Sequence, residues 1–192
     1  MTDDALPTAK RLQFRKLRAL DERLLDKELN IPQITTLLGD DPDLFRWLLK
    51  DQQEVYGHTF WPVELKDTCE FIGICGLVTV DEQDSTVLGA LELGYRIKPS
   101  AQGNHYAMEA SAACLEYAFE NEEAWWVVSR TTLENIASWS VMKNIGMRHD
   151  PRLDYSSGGK TLIVHVMTSV DWKARGQKRC RAILRNPGAK RT

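Results

Sequence analysis

The stretch that most constrains this chain of 192 residues is 93–109. An apolar strand runs up to Ile97. Pro99 cannot donate to a ladder and stops it. A short polar loop follows, and from His105 the pattern becomes helical. A strand therefore hands over to a helix N-terminus across a few polar residues. Such a terminus carries unpaired backbone N–H groups and roughly half a positive charge, which suits it to phosphate.

Around this stretch the chain has the length of one domain and the means to bury a core. The formal net charge of −2 argues for no polyanionic partner. No run of about 18 apolar residues occurs, so no membrane span is expected. The start, Met1-Thr2-Asp3-Asp4, is acidic and unlike a secretory signal. The four cysteines, Cys69, Cys75, Cys114 and Cys180, form no Cys-x-x-Cys pair and have no His at ligand spacing, so no metal site is expected. This usage suits a reducing cytoplasm. The charge is uneven. The segment 173–192 holds eight basic residues (Lys173, Arg175, Lys178, Arg179, Arg181, Arg185, Lys190, Arg191) and no acid, leaving 17 basic against 27 acidic residues elsewhere. An acidic body with a basic tail results.

In chain order, 1–8 reads as disordered, 9–172 as one domain and 173–192 as the basic tail. The segment 11–17 alternates and reads as a first strand. Helices are expected over 21–29, 32–38 and 43–51. Strands follow at 58–65, 70–80 and 88–97, with a hairpin turn at 66–68. Gly73 and Gly76 point to a bulge or a close backbone approach within the second of these. A helix over 105–120 carries a small face of Ala107, Ala110, Ala113, Cys114 and Ala118. The run 124–130 is apolar on both parities, as a strand buried on both faces requires. Thr132 is placed to cap a helix ending at Ile145, with Gly146 just beyond it. Two last strands are expected at 147–153 and 161–170, joined by a flexible loop at 154–159. The fold class is α/β (α+β): a mixed, mostly antiparallel sheet of about seven strands flanked by helices.

Within 88–97, Glu92 shares a face with Ala90, Gly94 and Arg96. An acid in an apolar strand is costly to bury unless paired, and burial is what tunes a carboxylate toward general-base work. The plainer alternative is a Glu92–Arg96 pair on a solvated face. Asn135 and Ser138 lie three apart and share one face of the following helix; the plainer reading there is local backbone bonding.

Gln102-Gly103-Asn104-His105-Tyr106-Ala107 resembles the acyl-CoA pyrophosphate loop of the GNAT superfamily of N-acetyltransferases, Gln/Arg-x-x-Gly-x-Gly/Ala. Gln102 and Ala107 fit, and His105 stands where the pattern has Gly. Asn135-Ile136-Ala137-Ser138 with Lys143-Asn144-Ile145-Gly146-Met147 resembles the Asn-x-x-Ser and Lys-x-x-Gly-Phe/Met signature of the same superfamily. The branch most similar is that of ribosomal-protein alanine N-acetyltransferases.

The resemblance implies transfer of an acetyl group from acetyl-CoA directly to a primary amine, on a protein or peptide N-terminus or on a small amine such as a polyamine or aminoglycoside. It implies Glu92 as the general base and Ser138 as the acid for the leaving thiolate. A Tyr common four residues beyond the Ser is here Met142. CoA would lie on the backbone of Leu93, Tyr95 and Ile97, with Gly94 allowing close approach. Its diphosphate would lie on Gln102, Gly103, Asn104, His105, Tyr106 and Ala107, and its arm against Asn135 and Ser138. His105 and Met142 also admit an acyl-CoA-binding or interaction module with weak turnover. A homodimer is an expectation of the resemblance alone. The tail offers a contact to RNA, to a ribosomal surface or to the chain's own acidic body, with room for a short helix between Gly176 and Pro187, the plainer reading being a disordered, solubilising extension.

Overall fold

The computed structural model describes residues 6–18, 21, 52, 54–81, 83 and 85–188. The helices expected over 21–29, 32–38 and 43–51 lie outside these, apart from Asp21, which is helical.

Among the described residues eight strands form one sheet: β1 Leu12–Phe14, β2 Phe60–Leu65, β3 Phe71–Thr79, β4 Leu91–Ile97, β5 Trp126–Thr132, β6 Arg148–His149, β7 Tyr155–Ser157 and β8 Lys160–Thr168. Their order is β1-β2-β3-β4-β5-β8-β6, with β7 on β8. Every pairing is antiparallel except β4 with β5. That exception has a cause in the chain. Helix α1, Tyr106–Glu120, crosses over the sheet between β4 and β5 and so returns the chain in the same direction. Helix α2, Ile136–Ile145, follows β5.

The mixed, mostly antiparallel sheet is as expected, with one strand more. The extra strand is β7, in the stretch expected to be a flexible loop. Gly158 and Gly159, both at positive φ, turn it back onto β8. The strand expected over 147–153 is only two residues long, because Pro151 opens a 3-10 turn, Pro151–Leu153.

The larger core lies between the sheet and α1. Ala110, Ala113, Cys114 and Ala118 are buried there against Trp61, Cys75, Leu77 and Leu93. Their small side chains let the helix axis sit close to the strands. Close approach also governs β3. A Cβ at Gly76 would lie 2.0 Å from the Thr59 carbonyl oxygen, so only glycine fits there. A register shift between Val63 and Glu64 marks a bulge in the same pair. The opposite face carries a smaller cluster of Val80, Val87, Ala90, Val128, Val164 and Val166. Val127 and Val128 are both fully buried, on opposite faces of β5.

Two boundaries differ from the sequence reading. Residues 6–8 are ordered: Pro7 is buried and Thr8 bridges to Gln13. The basic segment is not an extension as far as residue 185. After a helical turn at Ser169–Asp171 and a π-helical turn at Trp172–Gly176, helix α3 spans Gln177–Arg185. Its Cys180 and Ile183 are fully buried with Trp172 in the main core. Arg181 pairs with Glu116 of α1 at 2.9 Å, and Arg175 with Asp171 at 3.0 Å. The apolar stripe 172, 176, 180, 183 has helical spacing, and it carries the segment into the core despite its charge.

Two histidines are buried in this fold. Burial holds His58 and His165 below the ordinary imidazole value of 6.5. Each is therefore more readily protonated in the unfolded chain. The unfolded state then binds more protons as pH falls through about 6.5, and stability is lost on the acid side. The melting temperature is expected to fall between about pH 7.5 and 5.5, and a His58→Gln, His165→Gln double variant to show a shallower fall. Differential scanning calorimetry across this range checks it; an equally steep fall in the double variant contradicts it.

Candidate active site

The parallel ladder between β4 and β5 consists of two pairs, Leu91↔Val127 and Glu92↔Val128. Beyond them the strands part, although β4 runs on to Ile97 and β5 to Thr132. β4 keeps its full register with β3, from Gly73↔Ile97 to Thr79↔Leu91, so it is the β5 edge of β4 that is exposed. The gap opens into a cavity of about 640 Å³. Its walls are β4 from Glu92 to Ile97, Ser129 to Thr131 of β5, the loop before α1, and the face of α2 carrying Asn135, Ser138 and Met142. An unpaired strand edge inside a cavity offers backbone N–H and C=O groups to an extended chain.

The far end of the slot is the loop singled out in the sequence. A 3-10 turn, Pro99–Ala101, follows β4. The Gln102 side-chain amide donates to the Ile97 carbonyl at 2.9 Å and so braces the loop. Asn104 donates to the carbonyls of Ala101 and Gln102, each at 3.2 Å. Asn104 does not line the cavity, whereas Gln102, Gly103, His105, Tyr106 and Ala107 do. His105 is the residue before α1 and takes the left-handed conformation, φ 63° and ψ 16°. This is why glycine suits the position: a Cβ there costs about 1 kcal/mol. The first-turn N–H groups of α1 have no intrahelical acceptor, and Tyr106, Ala107 and Met108, which carry them, line this end of the slot.

At the near end lies Glu92, 7% exposed. Its pair is Arg130 on β5, not Arg96 as in the plainer alternative, and the pair is not on a solvated face. Arg130 donates from Nε to Oε1 at 3.0 Å and from Nη2 to Oε2 at 2.6 Å. Its Nη1 donates to the Tyr155 hydroxyl. Burial works against the Arg130 charge, but the Glu92 carboxylate outweighs it and raises the guanidinium pKa. Arg130 was missed in the sequence. Its signal is simple: it is the one cation in a run buried on both faces, where a buried acid must find its partner.

The other singled-out residues fall as follows. Leu93 and Ile97 are buried toward α1, and Tyr95 packs beside them. The Tyr95 hydroxyl donates to the Ser138 carbonyl at 3.1 Å, tying β4 to α2 across the gap. Burial pushes the Tyr95 phenol above its ordinary value, so it stays a neutral donor. Gly94 does allow a close approach, but of Phe60: a Cβ there would lie 2.5 Å from its ring. Asn135, not Thr132, caps α2, with Oδ1 accepting from the Ser138 N–H at 3.2 Å. Thr132 ends β5 and its carbonyl accepts from Trp139 Nε1 at 3.3 Å. Ser138 is half-buried on the cavity wall and Met142 is 1% exposed behind it. Cys75 and Cys114 lie 3.6 Å apart in the core and do not line the cavity. Burial holds the Cys114 thiol well above its ordinary value, so it is a poor nucleophile.

Residues 11–148 match the family model described as an acetyltransferase (GNAT) domain. The uncharacterized protein YkkB of Bacillus subtilis is 34% identical over 128 residues, covering 59% of this chain and 73% of its own length. An acetyltransferase of Agrobacterium tumefaciens str. C58 shares the fold with a TM-score of 0.70 at 24% identity, covering 87% of this chain and 97% of that one. Mycobacterium smegmatis RimJ in complex with CoA-disulfide does so with a TM-score of 0.67 at 16% identity, covering 94% and 91%.

The strain at His105 is testable. His105→Gly is expected to raise the unfolding free energy by about 1 kcal/mol in urea titrations. A loss of stability would mean that the imidazole makes contacts worth more than the backbone cost.

Proposed function

Because this chain belongs to the GNAT acetyltransferase family, we propose that it moves an acetyl group from acetyl-CoA directly to the α-amine of a protein or peptide. The observation that carries this reading is the parting of β4 from β5 between a carboxylate, Glu92, and a helix N-terminus. One slot thus has a proton acceptor at one end and an anion seat at the other.

The residues fit the donor. The β4 edge at Leu93, Tyr95 and Ile97 would pair with the amides of the pantetheine arm. The N–H groups of Gly103 to Ala107 would hold the diphosphate. Gln102 and Asn104 shape that loop through their own hydrogen bonds, and Asn135 and Ser138 form the facing wall. CoA supplies a thioester carbonyl open to attack. A backbone N–H of β4 polarises that carbonyl as negative charge develops on its oxygen. Glu92, ion-paired with Arg130, would take the proton of the incoming ammonium through water. The amine nitrogen would then bond to the carbonyl carbon as the carbon–sulfur bond breaks, and it would shed its second proton to water to leave a neutral amide. The Ser138 hydroxyl, on the cavity wall, would donate a proton to the leaving thiolate and be replenished from solvent.

The cavity wall favours a single amine over a polyamine. On the face shared by Glu92 it presents Phe60, Ile74 and Leu162, and the Glu92 charge is already balanced by Arg130. A polycation gains little from such a wall.

Thiol release from acetyl-CoA tests the reading, with N-terminal peptides and spermidine as competing acceptors. Peptides are expected to give the higher kcat/KM. Glu92→Gln is expected to lower kcat by about 10²-fold, with the deficit persisting across pH. Full turnover by that variant would remove Glu92 from the mechanism. Acetyl-CoA binding without thiol release to any amine would make the chain an acyl-CoA-binding module instead.

A further inference from the structure

Behind the loop, and outside the cavity wall, a buried carboxylate pairs with a partly exposed arginine. Glu109 sits in the first turn of α1 with no exposed surface. Arg11, just before β1, donates to both of its oxygens: the backbone N–H to Oε1 at 2.7 Å and Nε to Oε2 at 2.7 Å. The same guanidinium donates from Nη2 to the Asn104 carbonyl at 3.0 Å. It also lies 4.6 Å from the centroid of the Tyr106 ring. Arg11 therefore grips the residues on either side of His105, the strained corner of the loop. Neither Arg11 nor Glu109 lines the cavity, so both act through the loop.

A carboxylate in a first turn stabilises its helix, but the same charge repels an anion bound at that terminus. Glu109 carries a full negative charge where the helix offers roughly half a positive one. Left unpaired in a buried site it would cancel the attraction for a diphosphate, at close range and with little screening. Arg11 removes that charge and fixes the corner with the same side chain. Resting on the acetyl-CoA reading above, we infer that Arg11 is a positioning residue for the acyl-CoA diphosphate. Affinity for the donor is set by the charge balance of the Arg11–Glu109 pair beneath the loop.

The test is calorimetric titration of acetyl-CoA into the full chain and into Arg11→Met, Arg11→Lys, Glu109→Gln and the Arg11→Met, Glu109→Gln double variant. Arg11→Met is expected to raise Kd roughly tenfold at low ionic strength, a loss that shrinks toward 1 M salt. Glu109→Gln is expected to bind acetyl-CoA as tightly as the wild type or more so, even with a lower melting temperature. The double variant is expected to return to within about threefold of the wild type, since charge balance is restored. The KM for the amine acceptor is expected to stay unchanged throughout. A salt-dependent loss in Arg11→Met with none in Glu109→Gln supports the inference. A loss in Glu109→Gln equal to that in Arg11→Met overturns it and leaves the pair as scaffold only. If Arg11→Met fails to fold, Glu109→Gln and the charge-preserving Arg11→Lys decide alone, both expected to retain affinity. Wild-type protein that binds no acetyl-CoA refutes the reading of the site itself, whereas wild-type binding with loss in Glu109→Gln refutes only the role of the pair.

Discussion

Two hydrogen-bonded pairs hold β4 to β5, and everything at the candidate site depends on there being no more. A parallel ladder that ran the whole length of both strands would consume the β4 edge and close the cavity. Several features keep the gap open. The seven-residue register with β3 holds β4 straight, and Pro99 ends it. The antiparallel register with β8 draws β5 away. Tyr95 reaches over to the Ser138 carbonyl and sets the distance from β4 to α2. The slot is thus opened by the sheet, between β4 and β5, and completed by the loop before α1 and the face of α2.

Charge is handled in the same economical way at both ends of the slot. Each end has one buried carboxylate and one arginine brought from far away in the chain. Glu92 meets Arg130 across 38 positions, and Glu109 meets Arg11 across 98. Burying either carboxylate alone would cost several kcal/mol, and removing either arginine would leave that cost uncompensated. The pairs also differ in place. Glu92 and Arg130 line the cavity, whereas Arg11 and Glu109 lie outside it, behind the loop before α1.

Much of this was legible in the sequence, for local reasons. Pro99 stops a strand wherever it occurs, Gly146 ends a helix at positive φ as expected, and the small residues of α1 mark a close-packed face. Ten of the eleven residues expected to bind the cofactor do line one cavity; Asn104, which turns inward to its own loop, does not. What the sequence hid was long-range or mixed in signal. The partner of Glu92 could not be read from i to i+2 spacing, because the pairing runs across strands. A short helix between Gly176 and Pro187 was legible, but its docking into the core through Cys180 and Ile183 was masked by the surrounding charge. Strand β7 was masked by the glycines that turn its hairpin. The left-handed backbone at His105 explains the departure from glycine there as a local cost rather than a loss of the loop.

The role of the slot turns on whether the β4 edge receives the donor. Hydrogen exchange of the backbone amides, with and without acetyl-CoA, addresses this most directly. Slower exchange confined to 93–97 and 103–108 on adding acetyl-CoA is the predicted result. Unchanged exchange along β4, or protection appearing only elsewhere in the chain, would contradict it.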